Sequence, residues 1–99
     1  MTRWLKTCSY YAAFVQDSLK EELKDFKQIS EDFLVTDEGR DYFRWEITNS
    51  REGSRLHQIL YFFGSGEWKL VVSYTRPEGQ GAENDASVDV AMKTLRFNP

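Results

Sequence analysis

Between Tyr42 and Thr75 the chain alternates with a period of two residues in three consecutive runs, a pattern that strands satisfy and helices do not. In the first run Phe43, Trp45 and Ile47 fall on one side, while Tyr42, Arg44, Glu46 and Thr48 fall on the other, as in a sheet with one wet face. The second run sets Leu56, Leu60 and Phe62 against His57, Ile59, Tyr61 and Phe63. Both of its sides are largely apolar, so it is expected to lie centrally or to be covered on both faces. The third places Trp68, Leu70, Val72 and Tyr74 opposite Lys69, Val71, Ser73 and Thr75. Asn49 to Ser54 turns the chain between the first two runs, and Gly64-Ser65-Gly66-Glu67 is a hairpin signal between the second and third. Three successive antiparallel strands are the expected result.

Upstream, Tyr11, Val15, Leu19 and Leu23 recur every four residues, with Ala12 and Phe14 widening the stripe. This predicts a long helix from Ser9 to Lys24, capped by the Ser9 hydroxyl, with Asp17, Lys20, Glu21, Glu22 and Lys24 in water. After Asp25 the period changes. Phe26 to Ser30 and Asp32 to Thr36 read as short extended segments, followed by a turn at Asp37-Glu38-Gly39-Arg40 where Gly39 supplies a positive φ. Downstream, Pro77 stops the last strand, and Glu78 to Asn84 reads as an exposed loop and the most mobile segment. Val88, Ala91, Met92 and Leu95 predict a second helix capped by Asn84 or Asp85, with Lys93 near its carboxyl end and Phe97 anchoring the tail. The order of helix, meander of about four strands and helix describes one α+β domain over residues 1–99, with both helices on one sheet face.

Composition narrows the function. Thirteen Lys and Arg against 16 Asp and Glu leave a net charge of −3, which argues against a duplex-binding surface. The longest apolar stretch, Ile59 to Phe63, is far short of the roughly 20 residues a membrane helix needs, so a soluble protein without a membrane span is expected. Met1 to Cys8 has no apolar core of a secretory signal, and a lone Cys8 excludes an intrachain disulfide, so a cytoplasmic protein is expected. One cysteine and one histidine, His57, supply too few ligands for an ordinary zinc site.

The helix Tyr11 to Leu23 followed by Lys24-Asp25-Phe26, the Asp37-Glu38-Gly39-Arg40 turn into Tyr42-Phe43-Arg44-Trp45-Glu46, and Leu56-His57-Gln58-Ile59-Leu60-Tyr61-Phe62-Phe63 together resemble the PsbP-like family. That family's fold is shared by the photosystem II extrinsic protein and a Ran-binding nuclear transport factor. The strand Trp68 to Tyr74, ending in Thr75-Arg76-Pro77-Glu78, and the closing Met92-Lys93-Thr94-Leu95-Arg96-Phe97 extend the resemblance over most of the chain, closest to its uncharacterised bacterial branch. The resemblance implies an αβα sandwich around a central antiparallel sheet and a noncatalytic role built on protein contacts. Family members usually begin with a further strand pair, where this chain has only Met1 to Cys8 before its first helix. The resemblance thus implies a sheet edge that a homodimer or a partner strand could cover.

Candidate chemistry is sparse. His57 is the one side chain that titrates near neutrality unaided, and its place on a strand beside Gln58 suits a hydrogen-bonded structural or surface role; an enzyme would need it in a cleft within reach of a carboxylate. Cys8 reads as an incidental thiol, and Asp32, Asp37, Glu38 and Asp41 as a solvated turn whose spacing matches no calcium loop. Gly64, Gly66, Gly79 and Gly81 are turn residues, since neither pair has the spacing of a phosphate-cradling loop. No catalytic residue, metal or cofactor is assigned. The expected site is a protein interface in which Tyr42, Arg44, Tyr61 and Phe63, joined by Arg76 and the loop after it, share an accessible face, aromatic and arginine side chains being the usual anchors of such surfaces. The expected function is a protein-interaction or accessory module with a protein partner, a homodimer among the forms considered. The alternative is a small-ligand or metal-responsive binding domain using a groove between helix and sheet lined by aromatics.

Overall fold

The computed structural model describes residues 13–65 and 68–95, apart from the side chains at 65 and 68. Helix α1 occupies 13–22 of these. It is followed by strands β1 (Lys24–Val35), β2 (Asp41–Arg51), β3 (Ser54–Ser65) and β4 (Trp68–Pro77), a 3₁₀ turn at Ala82–Asn84, and helix α2 (Asp85–Lys93). The strands form one antiparallel sheet in the order β1-β2-β3-β4, the meander expected from the alternating runs. Among the described residues, no helix is long and apolar enough to cross a membrane. The expected cap at Ser9, the thiol of Cys8 and the anchor at Phe97 lie outside the described residues.

The two short extended segments expected after Asp25 are one 12-residue strand. Register shifts between Lys24 and Lys27 and between Gln28 and Ser30 break its alternation, which explains why the sequence period changes there. The β2–β3 connection is a two-residue turn of Glu52 and Gly53 with φ of 52° and 83°, the paired positive values that fit a hairpin to the twist of its strands. Gly39 also takes the expected positive φ, in the turn before β2.

Faces of the sheet follow the alternation. Phe43, Trp45, Ile47, Leu60 and Phe62 form a core cluster on the first face, against which Val15 and Leu19 of α1 and Leu23 just past its end pack, together with Phe26 and Val71. Tyr42, Ile59, Tyr61 and Phe63 form a second cluster on the other face, packed by Val88, Met92 and Leu95 from α2 and its end, and by Leu34, Val72 and Tyr74. The helices therefore lie on opposite faces, which corrects the expectation that both cover one. The physical reason is that β3 is apolar on both sides, so each side needs its own cover. Large side chains with no exposed area, Trp45, Tyr61, Phe62 and Phe63 among them, contribute about 1.5–3 kcal/mol each through burial. The buried Trp45 indole donates to Gln28 Oε1 at 2.8 Å, so the core carries no orphaned donor there.

Two smaller differences concern the helices. Phe14, expected to widen the buried stripe of α1, is 70% exposed. Asn84 occupies the cap position of α2 but makes no side-chain cap hydrogen bond. Asp85, the other candidate cap, instead turns its carboxylate toward β4.

Candidate functional site

The face of the sheet expected to be wet holds most of the buried charge. Arg44, Glu46 and Thr48 of β2 alternate onto it, His57 of β3 pairs across from Thr48, and Arg76 of β4 pairs across from His57. α2 closes over them and adds two acids one helical turn apart, Asp85 and Asp89.

Arg44 is the hub. Its Nε donates to Asp89 Oδ1 at 2.9 Å and its Nη2 to Asp89 Oδ2 at 3.4 Å. Its Nη1 lies 2.9 Å from Glu46 Oε1 and donates to Ser30 Oγ at 3.3 Å. The Tyr61 hydroxyl donates to the same Asp89 Oδ1 at 2.5 Å. Nearby, Arg76 meets Asp85 in a two-pronged pair, Nε to Oδ1 and Nη2 to Oδ2, both 2.8 Å, while its Nη1 donates to the carbonyls of Pro77 and Gln80. Such forks are the strong form of the guanidinium–carboxylate contact. His57 Nε2 lies 2.6 Å from Glu46 Oε2, which links the two halves of the network.

The electrostatics follow from this geometry. Burial works against the Arg44 cation, but the hydrogen bond and charge of Asp89, with those of Glu46, outweigh it and hold its pKa above the ordinary value. Burial, followed by the hydrogen bond to Asp89 and its charge, pushes the Tyr61 phenol up. Burial likewise raises Tyr42, with the charge of Asp89 adding to it. The hydrogen bond from Arg76 holds the Asp85 carboxyl below its usual range despite the opposing effect of burial, and the same bond raises Arg76.

The five expected interface residues do share one face, but it is not an accessible one. Tyr42, Tyr61 and Phe63 are 3%, 0% and 0% exposed, Arg76 is 8% exposed, and the Arg44 side chain is 13% exposed. The expectation of an open anchor patch is corrected on this point: α2 occupies the face. Alternation identifies which side chains share a side but does not register which helix lands there.

Glu46, His57 and Asp85 each place a ligand atom within 4.8 Å of the others, a grouping that could hold a metal ion. Both carboxylates are already paired with guanidiniums, Glu46 with Arg44 and Asp85 with Arg76, so the trio is one part of a larger ion-pair network. Asp32 approaches Arg44 at 3.8 Å and does not join a cluster with Asp37, Glu38 and Asp41 among the described residues. The imidazole–carboxylate contact that an enzyme would require exists between His57 and Glu46, but it faces α2. Sequence reasoning missed Asp85 and Asp89 as site residues. Their signal was present, since Asp85, Val88, Asp89 and Met92 follow the i, i+3, i+4, i+7 spacing of an inward helix face.

A groove of about 530 Å³ opens on the opposite face, between the end of α1 and the sheet near the β2–β3 turn. Its sides are aliphatic and polar, and among the described residues no aromatic lines it, unlike the groove expected for a small ligand. Comparison with protein-family models, with curated proteins and with solved structures found no match for the chain.

Proposed function

We propose that the protein is a noncatalytic interaction or accessory module of the PsbP-like type, and that it engages a second copy of itself through the outer edge of β4. The observation that supports this reading is the contrast between the two edges of the sheet. β1 carries two register shifts together with Lys24 and Lys27, features that discourage further pairing. β4 follows β3 from Trp68 to Pro77 with no shift, and no further strand joins its other side among the described residues. Its centre, Leu70 to Thr75, is uncharged, free of Gly and Pro, and rich in β-branched and aromatic residues. Such an edge is a template for another strand.

A second copy brings the same edge. Antiparallel pairing about Val72 sets Leu70 against Tyr74, Val71 against Ser73 and Lys69 against Thr75, so no like charges face each other. The noncatalytic part of the reading draws on the network beneath α2, where each ionisable group has an internal partner. The layer order, helix on either side of an antiparallel sheet, supports the PsbP-like part.

The test is light scattering across a concentration series on the full chain and on Leu70→Lys, a change at a position 38% exposed. A dimer that the substitution converts to a monomer, with the circular dichroism spectrum unchanged, is the expected result. A monomeric wild type throughout, or a dimer indifferent to Leu70→Lys, overturns the proposal.

A further inference from the structure

We infer that the groove beside α1 is a binding site for a small neutral molecule with amide or hydroxyl groups along one edge and an aliphatic group along the other. Its volume of about 530 Å³ falls within the roughly 300–1,000 Å³ typical of small-molecule sites. This inference does not depend on β4 pairing.

The ligand class follows from the lining. Leu19 of α1 and Leu23 just past its end, with Leu56 and Leu60 of β3, provide an aliphatic wall. The polar floor is a ladder of neutral side chains across three strands: Asn49 Nδ2 donates to Gln58 Oε1 at 2.7 Å, and Gln58 Nε2 donates to Thr75 Oγ1 at 3.0 Å. All its bonds run in one sense. That leaves the Asn49 amide oxygen at one end of the ladder receiving no bond from it, and the Thr75 hydroxyl hydrogen available at the other end. A donor and an acceptor separated along one edge of a ligand match these two ends.

Charge and shape exclude other classes. Glu22 and Glu52 balance Lys24 and Arg51 at the mouth, so a net charge on the ligand gains little. A planar ring system finds no aromatic platform to stack on there among the described residues. The site therefore takes a compact aliphatic amide in preference to an ion or a nucleobase.

The probe is N-acetyl-leucinamide, which is neutral and carries two amides and one isobutyl group, titrated into isotope-labelled protein and followed by NMR. Saturable shifts are expected in the side-chain amide signals of Asn49 and Gln58 and in the methyl signals of Leu56 and Leu60. Acetamide, which lacks the aliphatic group, should bind about tenfold or more weakly. Leu56→Trp, which fills the groove, should abolish the shifts while keeping a cooperative melt. Absence of saturable shifts at millimolar probe, equal affinity for acetamide, or shifts that persist in a folded Leu56→Trp protein each overturn the assignment; the acetamide comparison stands by itself if that variant does not fold.

Discussion

Replacing Asp89 by alanine removes the acceptor shared by Arg44 and Tyr61, and the structure allows the cost to be worked out. Two donors from Arg44, at 2.9 and 3.4 Å, and one from Tyr61, at 2.5 Å, lose their partner together. The Arg44 contribution is small, because Asp89 is 41% exposed and Arg44 keeps Glu46 and Ser30, so about 0.5–1 kcal/mol is reasonable after solvent screening. Tyr61 has no exposed area, and leaving its hydroxyl without an acceptor costs about 1–2 kcal/mol. The sum, about 2 kcal/mol, corresponds to a fall in Tm of about 8–16 °C for a domain of this size. Denaturant unfolding followed by circular dichroism measures it directly. A double-mutant cycle separates the parts: in a Tyr61→Phe background the same substitution should cost about 1 kcal/mol less. A loss of under about 0.5 kcal/mol for Asp89→Ala, with no coupling to Tyr61, would refute the view that this carboxylate fastens α2 to the sheet.

Two further predictions rest on separate features. Asp85 has a folded pKa below its ordinary value of 3.8, so its contribution to stability is present above that value and is lost as pH falls through the lower folded pKa. Asp85→Asn should therefore be less stable at pH 7 and show a flatter acid limb in urea unfolding; parallel acid limbs for the two proteins would remove the Arg76–Asp85 pair as the cause. In the core, Phe62→Ala should cost about 3–5 kcal/mol, whereas Phe33→Ala, at a position 60% exposed, should cost under about 1 kcal/mol despite its ring contact with Phe43; comparable losses in the two denaturation midpoints would contradict the described burial.

The fold was legible wherever a residue's own neighbours determine its geometry. Alternation in Tyr42–Thr48 and Arg55–Phe63 predicted which side chains share a face, and Gly39 marked its turn, because pleat and φ are local properties. β1 was harder, since its register shifts disrupt the period on which such a reading depends. The layer assignment failed for a different reason. Polar residues such as Arg44, Glu46 and Thr48 read as solvent-facing, and only a distant segment carrying Asp85 and Asp89 turns that polarity into a buried face. His57 was expected to be a hydrogen-bonded structural or surface histidine; it is buried and in contact with Glu46, so the structural alternative holds, but the partner could not be named from spacing.

The two helical layers are held by different forces, and this decides which conditions act on each. Among the described residues, α1 meets the sheet mainly through Val15 and Leu19, with Leu23 just past its end, packed on a cluster of aromatics and aliphatics, and through a hydrogen bond from Gln16 to Glu31. α2 spans nine residues, none of them fully buried, too few for a stable helix in isolation. Its helical state therefore depends on docking. Docking combines Val88 and Met92 with Asp85 and Asp89, which occupy the same inward stripe and meet Arg76 and Arg44. Acid acts directly on the carboxylates that hold α2, whereas the described α1 contacts are chiefly apolar, with the hydrogen bond from Gln16 Nε2 to Glu31 Oε2 at 2.9 Å as their polar part. The sheet face bearing Tyr42, Tyr61 and Phe63 is consequently the one whose cover depends most on ionised groups, and the face bearing Trp45 and Phe62 is the one whose cover depends mainly on apolar area.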